Sequence, residues 1–192
     1  MMVESEELRL KEALLLLILE REGPIGRYRL TPMLNISEGR VKGMLRRMRD
    51  KGYLKAGKAG CRITDEGKRK LKEWLRSRNI LNIREIDASP LKVGPKSILI
   101  HVHGKAHRIR MGVEQRDVAV RAGALGAVNM VFKAGVLSIP PIYPNLEEAL
   151  PNFTKEIVQT FKPRDGDVLI ITFSENLYKS LEASLSVAEF LS

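Results

Sequence analysis

Ser37-Glu38-Gly39-Arg40-Val41-Lys42-Gly43-Met44-Leu45-Arg46-Arg47-Met48-Arg49-Asp50-Lys51-Gly52-Tyr53-Leu54 holds a helix, its stop and the start of a strand in one unbroken run. Val41, Met44, Leu45 and Met48 fall at i, i+3, i+4 and i+7, so a helix places them on one apolar stripe. Lys42, Arg46 and Arg49 then flank that stripe on one side, Arg40 and Arg47 on the other, and Gly43 lies opposite. Ser37 is a residue type that caps helix starts, and Gly52 ends the run. Gly39 and Gly43 each cost about 1 kcal/mol relative to alanine. Close approach to another backbone, flexibility, and packing against the preceding helix are three reasons to accept that cost.

Working outward, the chain upstream reads as a helix from about residue 6 to 21. Ser5 caps it, Leu8 and Ala13 to Leu19 make it apolar over most of its girth, and Gly23-Pro24 stops it. Such a helix belongs at the centre of a small bundle. A shorter helix follows from Arg27 to Leu34, with Pro32 blurring its end. Downstream, Tyr53 to Lys55 and Cys61 to Thr64 read as strands around a basic loop. Asp65-Glu66-Gly67 opens a last helix to about Arg78. The order is helix, helix, helix, strand, loop, strand, helix.

On residues 37–54, and on the strand-to-helix junction Ile63-Thr64-Asp65-Glu66-Gly67, the chain resembles the winged helix-turn-helix family of DNA-binding domains over about residues 6–78. The resemblance implies that the helix from Ser37 enters a major groove and offers its first residues to base edges. Those are Ser37, Gly39, Arg40 and Lys42, beside Glu38. It also implies phosphate contacts for Arg46, Arg47 and Arg49, backbone or minor-groove contacts for Lys55, Lys58 and Arg62, and flanking phosphate contacts for Arg27 and Arg29.

The charge supports a polyanionic partner independently. The 192 residues carry a formal net charge of +10. Residues 1–80 hold 20 Lys and Arg against 11 Asp and Glu, whereas residues 81–192 hold 13 against 12. A basic excess confined to one segment is the electrostatic footprint of nucleic acid. Aromatic residues are only 5%, which argues against a single-strand binder built on stacked rings.

The rest of the chain reads as a connector, residues 81–96 with a strand near Asn82 to Ile86, and an α+β domain, residues 97–192. Ile98, Ile100 and Val102 alternate with Leu99, His101 and His103 as a strand with one face in a core, and Ala106 to Met111 is expected to pair back on it. Val113 to Ala124 reads as a helix with Val113, Val120 and Ala124 along one side. Hairpin strands at 128–132 and 136–139, a helix from about Pro151 to Phe161, an apolar strand at 168–173 and a final helix capped by Ser174 complete it. The fold class is therefore α+β: a winged helix followed by a two-layer domain with helices on one face of a mostly antiparallel sheet. The run Gly112-Val113-Glu114-Gln115-Arg116-Asp117 through Ala122-Gly123-Ala124-Leu125-Gly126-Ala127 resembles an archaeal family of winged-helix proteins whose C-terminal domain has no assigned activity.

Few residues in this half point to chemistry. His101, His103 and His107 are the chain's only histidines and could meet a metal if the hairpin forms, but no carboxylate lies near them in sequence. Arg116, Asp117, Arg121 and Ser174 are the candidate contacts for a small polar effector. No phosphate loop, nucleotide-fold glycine pattern or nucleophile–base pair is present, so neither a cofactor nor an enzymatic reaction is implied. One cysteine, Cys61, excludes an internal disulfide, and the apolar run Ala13 to Leu19 is far short of a membrane span, so the chain reads as cytoplasmic. The sequence thus points to a transcription regulator that binds double-stranded DNA, pairs as a homodimer on a palindromic site, and answers to a small effector. The alternatives are a protein-interaction module, an RNA binder or, using the three histidines, a metal-dependent enzyme.

Overall fold

A computed structural model describes residues 7–192. The chain divides after Arg76 into two compact units. The first holds α1 (Leu10–Glu22), α2 (Arg27–Leu34), α3 (Glu38–Asp50), β1 (Leu54–Gly57), β2 (Gly60–Ile63) and α4 (Asp65–Ser77), the order read from the sequence. Residues 13–19 of α1 are all at most 5% exposed, so this helix is the core around which the others pack. Each such buried leucine or isoleucine contributes about 1.5–3 kcal/mol relative to exposure. The expected cap, Ser5, lies outside the described residues. At the observed start the Arg9 N–H donates to the Glu12 carboxylate at 3.2 Å.

The stripe Val41, Met44, Leu45 and Met48 is buried, which seats α3 on the bundle. The strands β1 and β2 pair antiparallel from Leu54↔Ile63 to Gly57↔Gly60. Ile25 adds a bridge on the far side of β2, exchanging backbone hydrogen bonds of 2.9 Å with Cys61. Gly60 sits at φ +122°, where a side chain would overlap the Ile25 carbonyl carbon, so only glycine closes the hairpin against that bridge. Trp74 of α4 ties the helix back by donating to the Leu8 carbonyl at 2.9 Å.

The second unit is built on β3 (Ile80–Ile86), β4 (Lys96–Val102), β5 (Gly126–Lys133), β6 (Val136–Ser138) and β7 (Asp167–Ser174). They form one sheet in the order β3-β4-β7-β5-β6, antiparallel at every pairing. The helices are α5 (Val113–Arg121), α6 (Leu146–Ala149), α7 (Pro151–Phe161) and α8 (Leu177–Phe190).

Three expectations change here. Residues 80–86, read as connector with a short strand, form the full edge strand β3. Ala106 to Met111 does not pair with β4; it begins as a 3-10 turn at 106–108. The reason is burial: residues 97–102 are all buried, so β4 is a central strand, and it takes apolar β7 and β3 as neighbours instead of a charged return segment. Helices also cover both faces of the sheet. Leu99, Met130, Leu169 and Ile171 pack with Leu146, Phe153, Ile157 and Phe161 of α6 and α7. On the opposite face α8 lies against β4 and β7, where Thr172 Oγ1 donates to the Ser180 carbonyl at 2.7 Å. The α+β class stands, with an additional helical layer over the sheet.

Candidate nucleic-acid interface

The burial of its apolar stripe turns the other side of α3 to solvent. Gly39, Arg46 and, half-buried, Gly43 lie on that outward side, with Arg40 and Arg47 along one flank and Lys42 and Arg49 along the other. A Cβ built on Gly39 meets nothing within 4 Å, and one on Gly43 meets only the Arg47 side chain at 3.7 Å. Packing against α2 therefore does not explain either glycine. Ser37 precedes the helix with its hydroxyl making no capping bond.

The sequence-expected cations sort into two groups. Arg29, Arg40, Lys42, Arg49, Lys55, Lys58 and Arg62 are exposed and make no ion pair among the described residues. Arg46 faces only its own helix partner Asp50 at 3.9 Å, both well exposed. Two others are engaged. Arg47 reaches the buried carboxylate of Glu12 at 3.4 Å, which ties α3 to α1. Arg27 pairs with Glu38 at 3.4 Å, stacks on the Tyr28 ring at 4.7 Å, and donates to its hydroxyl at 2.7 Å. Arg47 is thus a tie between helices as well as a surface cation. The flank of α3 toward α1 is a groove of about 570 Å³ whose lining includes Arg9, Lys11, Gly39, Arg40, Gly43 and Arg47.

On the hairpin, Lys55, Lys58 and Arg62 point outward while Leu54 and Cys61 turn in. Burial pushes the Cys61 thiol up, and the nearby Arg49 guanidinium pulls it partly back.

In the second unit the histidines meet a carboxylate that their sequence neighbourhood lacks. Asp167, fully buried at the start of β7, accepts His101 Nε2 at 2.8 Å and His103 Nδ1 at 2.7 Å. It also accepts the backbone N–H groups of Gly104 at 3.0 Å and Arg164 at 2.9 Å. Burial presses this carboxyl upward, but those four donors outweigh it and hold it below the ordinary carboxylate range. His107 stands apart in the 3-10 turn. Among the described residues no group of three or more His, Cys, Asp or Glu is arranged to hold a metal ion. Through His101 and His103, Asp167 fastens the end of β4 to the start of β7. Asp167 was missed because it is 64 residues from His103 and looks in sequence like an ordinary turn residue before a strand.

The effector candidates are not brought together. Arg116, Asp117 and Arg121 are exposed on α5, whereas Ser174 is 3% exposed. Ser174 Oγ donates to the Asn176 carbonyl at 2.6 Å and accepts from the Asn176 N–H at 3.0 Å. Asn176, not Ser174, caps α8, because β7 extends one residue further than its apolar run. Among the described residues no helix is long and apolar enough to cross a membrane.

A family model described as a domain of unknown function, DUF4443, matches residues 93–191. The chain is also similar to a solved structure described as hypothetical protein PH0730 from Pyrococcus horikoshii OT3. That similarity covers 96% of this chain and 93% of the other, with a TM-score of 0.71 and 26% identity. A search of curated proteins finds no match.

Proposed function

We propose that this chain, which belongs to the DUF4443 family, is a transcription regulator that reads double-stranded DNA with α3. The carrying observation is the solvent-facing part of α3: Arg40 and Lys42 on its flanks without ion-pair partners, beside two glycines that nothing among the described residues requires. A helix surface stripped to backbone at two successive turns lets an outside backbone come close, and the flanking cations suit an anionic one. Arg40, at the start of the helix, is the candidate for a bidentate contact to guanine, worth about 1–3 kcal/mol of discrimination. Arg46, Arg49, Lys55, Lys58 and Arg62 suit phosphates, where they position the protein without reading sequence. The winged-helix resemblance assigns the same parts to the same roles. The proposal extends to no effector site, since Arg116, Asp117, Arg121 and Ser174 are not gathered.

The test is selection of genomic duplex fragments on the purified full chain at about 0.15 M salt, where non-specific binding is already weakened. A shared motif is expected, relaxed at one position by Arg40→Ala and weakened uniformly by Arg46→Ala with Arg49→Ala. Retention of RNA alone, or of no nucleic acid, overturns the reading in favour of an RNA binder or a protein-interaction module.

A further inference from the structure

Val113 and Val120, which the sequence places along one side of α5, are 53% and 45% exposed. Gln115 and Ala119 face inward instead, both fully buried. The local bonds show why. Gln115 Nε2 donates to the Arg108 carbonyl at 3.2 Å, and the Gly112 carbonyl accepts from Asn129 Nδ2 at 3.0 Å. These two ties fix the roll of the helix and leave its valines outside. Met111, 63% exposed, precedes them, and Leu125, 55% exposed, follows. Valine is a poor choice for an exposed helical position, since its branched side chain loses rotamer freedom there and gains no burial. Two exposed valines on one line of a charged helix leave apolar area open to a partner.

The charges say what the contact is. Val113 and Val120 lie two turns apart along one line, with Arg116 on one flank of it and Asp117 on the other. Neither charge has an ion-pair partner among the described residues. A two-fold axis running along the helix sets each valine against its own counterpart and exchanges the flanks. Arg116 then falls opposite the partner subunit's Asp117, and Asp117 opposite the partner subunit's Arg116. The stripe carries both signs in equal number, so it offers no net field to a polyanion or an anionic membrane surface. It is complementary to itself, as a surface shared by two copies must be. The geometry points to self-association of this chain through the outward side of α5, with Val113 and Val120 as the apolar contact and Arg116 and Asp117 as the pair that sets the register.

The experiment is sedimentation equilibrium of the full chain across the micromolar range. The wild type is expected to approach twice the 21.6 kDa chain mass as concentration rises. Val113→Glu with Val120→Glu is expected to stay at the single-chain mass, with circular dichroism and Trp74 emission unchanged because both positions are already in solvent. Arg116→Asp sets like charges face to face and is expected to weaken association roughly tenfold or more. Arg116→Asp with Asp117→Arg reverses both flanks and is expected to restore most of that loss. A single-chain mass at every wild-type concentration overturns the proposal. So does a dimer indifferent to the two valine substitutions, or a double reversal no better than the single one. The measurement contains no nucleic acid, so its outcome is independent of the function proposed above.

Discussion

Replacing Gly39 and Gly43 together by alanine should make the protein more stable and a worse DNA binder. Both residues lie in α3 with ordinary helical backbone, and neither added methyl group meets an atom closer than 3.7 Å. No clash offsets the gain in helix propensity. Gly43, in mid-helix, is worth up to about 1 kcal/mol, and Gly39, in the first turn, about half of that. For a unit of this size each kcal/mol raises the melting temperature by roughly 4–8 °C. The chain's single tryptophan, Trp74, is buried in the same unit, so its emission reports this unfolding directly. Two methyl groups on the outward side of α3 hold an approaching duplex off the helix, and affinity for the selected operator should fall at least about tenfold. A gain in stability joined to a loss in binding cannot arise from misfolding, which is what makes the pair of measurements decisive. Unchanged affinity would refute the argument that the glycines serve close approach. A lowered melting temperature would refute the geometry of α3 itself.

Other expectations follow from particular contacts. Arg47→Ala should cost about 1–2 kcal/mol in urea unfolding by leaving the buried Glu12 with only the Arg9 N–H and no cation, and Glu12→Gln in the same chain should recover part of it; equal stability would show the pair to be incidental. Asp167 is held below the ordinary carboxylate range, so the unfolded state binds its proton first. Its stabilising contribution is full above the unfolded pKa and is lost as pH falls through the lower folded value; Asp167→Asn should flatten that acid limb and cost about 2–4 kcal/mol at neutral pH. Cys61 is buried with its thiol pushed up, so a thiol reagent should label it only as fast as the first unit opens. Labelling at the rate of a free thiol would show the hairpin to be open.

What the sequence disclosed was whatever local pattern controls. The α3 stripe, the stop at Gly52, the hairpin around residues 56–60 and the apolar run of α1 each follow from spacing within a few residues, and each is found in place. The all-antiparallel sheet was legible only in class. Its hairpin β5–β6 is local and was read with nearly its observed ends. The neighbours of β4 are distant in sequence, and the alternation in residues 97–103 hid a strand buried on both faces. Partners far along the chain were invisible for the same reason. Glu12 lies 35 residues from Arg47, and Asp167 lies 64 from His103. In α5 the buried side is set by two side-chain bonds to distant carbonyls and not by apolar spacing, so the sequence pattern does not disclose it.

That contrast bears on how the basic charge of the first unit is to be understood. A count of cations treats Arg27, Arg40 and Arg47 as equal contributors to a polyanion site. The structure separates them by what else they hold. Arg47 is paired with the buried carboxylate of Glu12, and its field beyond the surface is reduced accordingly. Arg27 is shared between Glu38 and the Tyr28 ring. Arg40 and Lys42 owe nothing to the folded chain, so their placement at the start of α3 has no structural explanation within this unit. A cation that the fold does not use, next to glycines that the fold does not need, is better evidence of an external anion than the net charge. It favours the interface proposed for α3 and the hairpin, with Arg27 and Arg47 as supports for it.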